Sequence, residues 1–225
     1  MPLISVITPF SRGIKELSQL IRDFRNQTFR DFTHIIINDG PVQDDVKIFM
    51  EQHKKDYNIK FTSINKDMGN MKCSPGTKPR NHGLSIALEK FCCFCDDDDR
   101  YKSTYLETLI DGMQDNMISV VQMSCAESRI YRNGNPKRII LIPEVGLQTF
   151  PVICHVGTPC VLLPRKWALE DPWRHEPEHD FRFFKRIVEK HKPLVMIKYG
   201  MQVDVDGFII KNMRNWVNIP PFYRS

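Results

Sequence analysis

"KFCCFCDDDDRY", residues 90–101, decides how this chain is read. The run from Phe91 to Cys95 is apolar and short, as a strand buried on both faces is, and four aspartates follow it directly. Like charges at that spacing repel, so the cluster is either a solvated acidic loop or a site for a cationic partner. In open α/β sheets ligands sit in the crevice beyond the carboxyl ends of the strands, and the aspartates fall at such an end. If extended geometry persisted through them, Asp96 and Asp98 would point one way and Asp97 and Asp99 the other, with about 6–7 Å between members of a pair. One carboxylate could then hold a divalent cation and the other a sugar hydroxyl or the cation's water shell. Hard oxygen ligands suit magnesium or manganese. The buried strand in front of the aspartates favours this metal-linked reading over the solvated loop.

Working outward, the N-terminal half alternates strand and helix. "LISVITPF" reads as a buried strand, and the segment from Ile14 to Gln27 puts Ile14, Leu17, Leu20, Ile21 and Phe24 on one helical face. "FTHIIIND" (32–39) is a second strand, Val46, Phe49, Met50 and His53 mark a second helix, and "IKFTSI" is a third strand. After a polar loop with Gly69, Pro75 and Gly76, "PRNHGLSIALEK" is a short helix with Pro79 in its first turn. Beyond the aspartates, "STYLETLIDGMQDN" is a helix opened by Ser103 or Thr104, and "ISVVQMS" a strand. This order predicts an α/β fold, a largely parallel sheet covered on both faces. After Ser124 the rhythm changes. "SRIYRNGNPKRIILI" predicts a hairpin turning at Asn133-Gly134, "PCVLLPRKW" a strand, "EHDFRFFKRIVEK" a helix and "PLVMIKYGMQV" a last strand. The tail with Pro220-Pro221 reads as irregular.

With 225 residues, 41% of them hydrophobic, the chain can bury a substantial core. No apolar run reaches the roughly eighteen residues of a membrane span, and "MPLISVITPF" lacks the features of a signal peptide. A cytoplasmic protein is expected, free or peripheral to a membrane; a fragment of a longer anchored protein would read the same way. Seven cysteines, an odd number without regular spacing and three of them in the buried run, predict reduced thiols. His175 and His179 have no cysteine pair nearby, which argues against zinc. The net charge of +5 points to an anionic ligand. Basic residues are dispersed and not interleaved with aromatics, so a small phosphorylated ligand is expected and a nucleic acid is not.

Two further features stand out. Arg80 and Asn81 fall in the first turn of the helix beginning near Pro79, where free N–H groups and the helix dipole attract phosphate, with Lys78 and Arg80 adding charge. A merely exposed basic turn is the other reading. Asp180 opens an amphipathic helix whose apolar face is Phe183, Phe184, Ile187 and Val188, a place where complementing the helix dipole accounts for an acid without any chemistry.

Taken together, these pieces resemble the family 2 inverting glycosyltransferases of GT-A fold. "ISVITPF" is similar to that family's first strand, and "RNQTFRDFTHIIINDG" to its Q-T-aromatic helix end and second strand closing on Asp-Asp-Gly. "PRNHG" resembles its A-R-N-x-G, "FCCFCDDDDRY" its apolar strand and D-x-D-D-x-aromatic, and "HDFRFFKRI" its Glu-Asp helix with an arginine six residues on. The match is close over residues 3–124, patchy to about residue 190 and weak beyond. The resemblance implies a GT-A, mostly parallel sheet in a single domain over 1–225, residues 1–124 binding the donor and 125–225 the acceptor. It implies Asp39 at the nucleobase, Arg80 near base and pyrophosphate, Asp96 at the ribose, Pro9 and Asp97 among the donor contacts, Asp98 as ligand of Mn2+ or Mg2+, and Asp180 as catalytic base. The implied donor is a UDP-sugar and the acceptor a hydroxyl on a glycan or glycoconjugate.

Three positions depart from the family pattern. Asn38 replaces the first acid of the usual pair, Ser11 and Arg12 replace a common Tyr-Asn, and His179 replaces the acid before the base. Without that tyrosine, base stacking would fall to Phe10 and Arg12 would reach a phosphate. His155, Trp167, Trp173 and His175 are candidates for acceptor contacts because aromatic faces stack on sugars, although plain packing is the commoner role of a tryptophan and none of them is assigned as a site. A nucleotide-sugar-binding module without turnover is the alternative function. An aspartate-rich prenyl transferase would need an all-helical chain, and a sugar-phosphate nucleotidyltransferase a glycine-rich loop after the first strand.

Overall fold

A computed structural model describes residues 3–66, 76–130, 133–135, 138–146 and 150–205. In chain order the elements are β1 (Ile4–Phe10), α1 (Ile14–Arg25), β2 (Phe32–Asp39), α2 (Asp44–His53), β3 (Ile59–Ile64), α3 (Thr77–Ile86), β4 (Phe91–Phe94), β5 (Arg100–Tyr101), α4 (Tyr105–Ile110) and β6 (Met117–Ala126). Then follow α5 (Glu127–Ile130), β7 (Ile139–Ile142), a 3-10 turn (Thr158–Cys160), β8 (Val161–Pro164), α6 (Arg165–Glu170), α7 (His179–His191) and β9 (Leu194–Asp204). One sheet runs β3-β2-β1-β4-β8-β6-β9-β5, with β7 beside β6. Strands β1 to β4 pair in parallel, β8 lies antiparallel between β4 and β6, and β6 and β9 are parallel. This is the mixed, mostly parallel α/β sheet with flanking helices that the sequence predicts.

The uninterrupted apolar strands are the reason for two-sided burial: Ile4, Val6, Ile7, Ile35, Ile36, Ile37 and Phe91 to Cys95 are all buried. Chain order reverses between β1 and β4, so their carboxyl ends frame a crevice at the switch point. Helix α3 lies close over β1 and β2 because Gly83 has no side chain. A Cβ there would stand 2.5 Å from Ile7 Cγ2. The Gln-Thr pair after α1 ties that helix to the segment beyond the aspartates. Gln27 Nε2 donates to Lys102 O at 2.7 Å, its Oε1 accepts from Leu106 N–H at 3.0 Å, and Thr28 N–H donates to Ser103 O at 2.8 Å.

Several expected elements differ. The hairpin pairs Met123–Ala126 with β7, and residues 127–130 form a helical turn, so the first arm ends before the run expected to form it. The helix after Ser103 is shorter than expected and closes at Ile110. Strand β9 carries an irregularity around Gly200, whose N–H donates to the Gln122 side chain at 2.7 Å. The loop at Gly69 and Pro75 and the Pro220-Pro221 tail lie outside the described residues.

Candidate functional site

The aspartates leave β4 as a turn. Strand pairing ends at Phe94 and residues 97–98 form the bend, so the alternating arrangement of four side chains does not persist. Tyr101 fixes the bend: its hydroxyl donates to Asp96 O at 3.0 Å and accepts from Asp96 N–H at 2.8 Å. Tyr101 is held in turn through Asp23 of α1, which accepts both guanidinium bonds of Arg100 at 2.7 Å and the Tyr101 N–H at 3.0 Å. The arginine and tyrosine that end the quoted stretch therefore set the position of the carboxylates.

Each of the first three aspartates has a cationic neighbour. Asp96 Oδ1 accepts from Arg80 Nη2 at 2.7 Å. Asp97 accepts from Ser11 N–H at 3.1 Å, which joins the ends of β1 and β4, and from Arg12 Nε at 3.3 Å. Asp98 Oδ2 pairs with Arg12 Nη2. Burial pushes the Asp97 carboxyl above its ordinary range, opposed by the Ser11 and Arg12 contacts. Asp99 is buried.

Arg80 joins this cluster to α7. The helix begins at Thr77, not Pro79, and Arg80 N–H is already spent on Gly76 O at 3.0 Å, so Arg80 and Asn81 lie past the first turn and do not offer the free N–H groups expected of them. The Arg80 side chain is buried, with Cζ 4.9 Å from the centre of the Trp173 ring. Gly76 stands at φ +79°, and a Cβ on it would come within 3.2 Å of both Arg80 Nη1 and the Pro9 ring, so Pro9 and Arg80 share the crevice floor. Asn81 exchanges two hydrogen bonds with the Trp173 backbone, at 2.9 and 3.0 Å. Trp173 stacks on Phe183 of α7 at 4.0 Å and 9°, meets Phe94 of β4 edge-on at 5.2 Å, and lies 5.9 Å from the His179 ring.

Asp180 sits one residue inside α7. Its Oδ1 accepts from Thr158 Oγ1 at 2.6 Å and from His179 Nε2 at 3.0 Å; among the described residues Oδ2 accepts no hydrogen bond. Burial pushes its carboxyl up, but the bond and charge of His179, the charge of Arg80 and the Thr158 hydroxyl outweigh it and hold the group below its usual range. Glu178, immediately before, holds a left-handed φ of 53°, a strained conformation for a non-glycine residue. Arg186, six residues after Asp180, binds Asp171 Oδ1 at 3.0 Å and pairs with Glu176, which fastens the Trp173 loop to α7.

The structure thus gathers Pro9, Arg80, Asp96, Asp97 and Asp98 around one crevice and links Asp180 to it through Arg80 and Trp173. Asp39 ends β2 at the same sheet edge, two residues past the Pro9–Ile37 register. Some expectations are corrected. Phe10 is fully buried and cannot stack on a base. Asn38 donates to Gly40 O at 2.7 Å and closes the turn after β2. Trp173 is 2% exposed and packs inside, while Trp167 stacks on His191 at 4.7 Å, so neither offers a face to a sugar. Thr158 escaped the sequence reading because its segment has no periodic signature.

Residues 5–171 match the family described as Glycosyl transferase family 2. The chain belongs to that family. Among the relatives of this family 2 member is a Campylobacter jejuni GalNAc(5)-diNAcBac-PP-undecaprenol beta-1,3-glucosyltransferase, 35% identical over 111 residues, 49% of this chain and 34% of that protein. The chain spans about a third of the length of the curated relatives it matches first. S. aureus TarS in complex with UDP superposes with a TM-score of 0.68 at 17% identity, over 90% of this chain and 60% of TarS. The mannosyltransferase PcManGT of Pyrobaculum calidifontis, solved with GDP-Man and Mn2+, gives 0.63 at 13% identity, over 98% of this chain and 67% of that one. At those identities the likeness establishes the shared GT-A fold.

No group of three or more His, Cys, Asp or Glu side chains is arranged as a metal cage among the described residues. Magnesium and manganese do not need one. They are commonly held by one or two carboxylates plus substrate phosphates. Asp98, 23% exposed and already facing a cation in Arg12, fits an ion that arrives with a diphosphate. No described helix is long and apolar enough to cross a membrane.

Proposed function

We propose that this chain transfers a sugar from a nucleoside-diphosphate donor, UDP-linked, to a hydroxyl of a glycan or glycoconjugate, with inversion at the anomeric carbon. The supporting observation is the Arg80–Trp173–α7 link, which joins the aspartate cluster, through Arg80, to the helix that carries Asp180. Residues 1–124 carry the donor side and residues 125–225 the acceptor side. The UDP assignment draws on the UDP complex of TarS, and the metal on the Mn2+ complex of PcManGT.

In this reading Asp39 receives the nucleobase, Asp96 the ribose, and Pro9, Arg80 and Asp97 shape the diphosphate pocket, with Asp98 holding Mn2+ or Mg2+. When bound, the divalent cation offsets the charge that develops on the leaving diphosphate. Asp180 works with Oδ2. Thr158 and His179 anchor Oδ1, so the second oxygen takes the proton of the attacking hydroxyl, which must approach opposite the leaving group. One base and no covalent intermediate suffice, which accords with inversion.

The test is thermal-shift and calorimetric screening of nucleoside diphosphates and their sugars, with and without Mn2+, followed by proton NMR of the anomeric centre of any product. UDP should be preferred and the anomer inverted. A retained anomer would overturn the mechanism, and the absence of any nucleotide effect would overturn the function. Tight donor binding without transfer to any hydroxyl acceptor would leave the binding module.

A further inference from the structure

We infer that Arg12 is a second cation of the donor site beside Arg80: it pairs with Asp97 and Asp98 and passes to the diphosphate when donor and metal bind. This rests on the donor-site reading above and adds a residue that reading leaves unused. The Arg12 guanidinium spans two carboxylates, Nε to Asp97 Oδ1 at 3.3 Å and Nη2 to Asp98 Oδ2. Its backbone is fixed beside them, because the preceding N–H, that of Ser11, donates to the other Asp97 oxygen at 3.1 Å. The Arg12 side chain is 52% exposed, so it lies on the rim of the crevice and can swing without unpacking the core.

Two charge arguments set the direction of the exchange. A divalent cation approaching Asp98 meets the guanidinium at the same oxygens, and two cations cannot share them at hydrogen-bond distance without strong repulsion. The arginine side of both pairs is half exposed and screened by water, so releasing it costs less than breaking a fully buried pair, and the incoming cation takes over the charge it leaves. The planar guanidinium fork matches a diphosphate as well as it matches paired carboxylates, so the displaced group gains a new partner in the pocket it borders. Metal and diphosphate therefore bind with positive coupling: the metal releases the guanidinium to the diphosphate, and the diphosphate draws it off the carboxylates that the metal needs.

Arg12→Gln and Arg12→Lys in the full chain test this with two probes that contain neither nucleoside nor sugar. Mn2+ alone, followed by electron paramagnetic resonance, should bind Arg12→Gln about fivefold more tightly than the native protein, the effect of removing one exposed competitor. Inorganic pyrophosphate in EDTA should bind Arg12→Gln about tenfold more weakly, with Arg12→Lys between, since lysine supplies a charge but no fork. Unchanged or weaker Mn2+ binding by a variant that melts like the native protein would overturn the inference, as would unchanged pyrophosphate binding. Failure of the UDP screen with both Arg12 effects present would sink the donor assignment and leave the inference standing.

Discussion

Asp180→Asn removes a charge and almost no volume, and it separates chemistry from architecture. Oδ1 of the carboxylate accepts from Thr158 at 2.6 Å and His179 at 3.0 Å, and an asparagine oxygen can accept both. The bonds survive in neutral form, and charge assistance in such bonds is worth about 1 kcal/mol each. Part of that loss is offset because a partly buried charge no longer has to be desolvated. The expected cost is about 1 kcal/mol, or about 2–4 °C in melting temperature for a chain of this size. Transfer should suffer far more. Loss of a general base lowers the rate by about 10²–10⁴, which is about 3–5 kcal/mol in the transition state. Single-turnover transfer measures the second quantity, thermal melting the first, and donor calorimetry should stay within about threefold of native because, among the described residues, Asp180 bonds to Thr158 and His179 and to no other side chain. Equal losses of donor binding and transfer would refute the argument, and so would a variant that keeps a tenth of native activity.

Trp173→Ala should cost about 3–5 kcal/mol in urea unfolding, the range for emptying a buried aromatic site. Trp173→Phe should cost much less, because the indole N–H is buried without an acceptor among the described residues and its loss strands nothing; equal costs would refute this reading. Gly83→Ala places a methyl 2.5 Å from Ile7 Cγ2 in a packed core and should destabilise by about 1–3 kcal/mol; a neutral result would mean α3 can lift from the sheet freely. The Asp180 carboxyl is held below its unfolded value, so it stabilises the fold at neutral pH and the benefit fades as pH falls below about 4. Native and Asp180→Asn melting curves should therefore converge on acidification, and an unchanged gap at pH 3 would contradict the assigned shift.

The first half of the chain was legible because its residues follow periodic elements. Strands of continuous Ile and Cys, a helix face with Leu17, Leu20, Ile21 and Phe24, and acids at a strand end all leave sequence marks. The aspartates' geometry was not legible, since it depends on a tyrosine five residues on and an aspartate in α1, contacts across 77 and 78 positions of chain. The same holds for Thr158, which reaches Asp180 across 22 residues from a 3-10 turn anchored by the Tyr105 hydroxyl on Pro159 O at 2.8 Å. Trp173 could be weighed but not placed, because large aromatics serve as sugar platforms and as core; its burial bears out packing, the commoner role.

The positions that depart from the family pattern have local physical accounts, and two of them bear on the charges of the site. Asn38 closes a turn and carries no charge toward the crevice. Arg12 brings a positive charge to the acidic bend, and His179 brings a donor to the base. An acid at position 179 would set a like charge beside Asp180 and raise its proton affinity, whereas the histidine lowers it. In the proposed mechanism the base is thereby kept ionised but made weaker, and by Brønsted behaviour a weaker base takes the proton with less driving force. Deprotonation of the acceptor must then lean on departure of the donor's diphosphate, the step that the cationic side of the crevice, Arg80 and Arg12, is placed to favour. On the proposed mechanism the two departures act in compensation: strength removed from Asp180 is returned as positive charge from Arg12 at the leaving group.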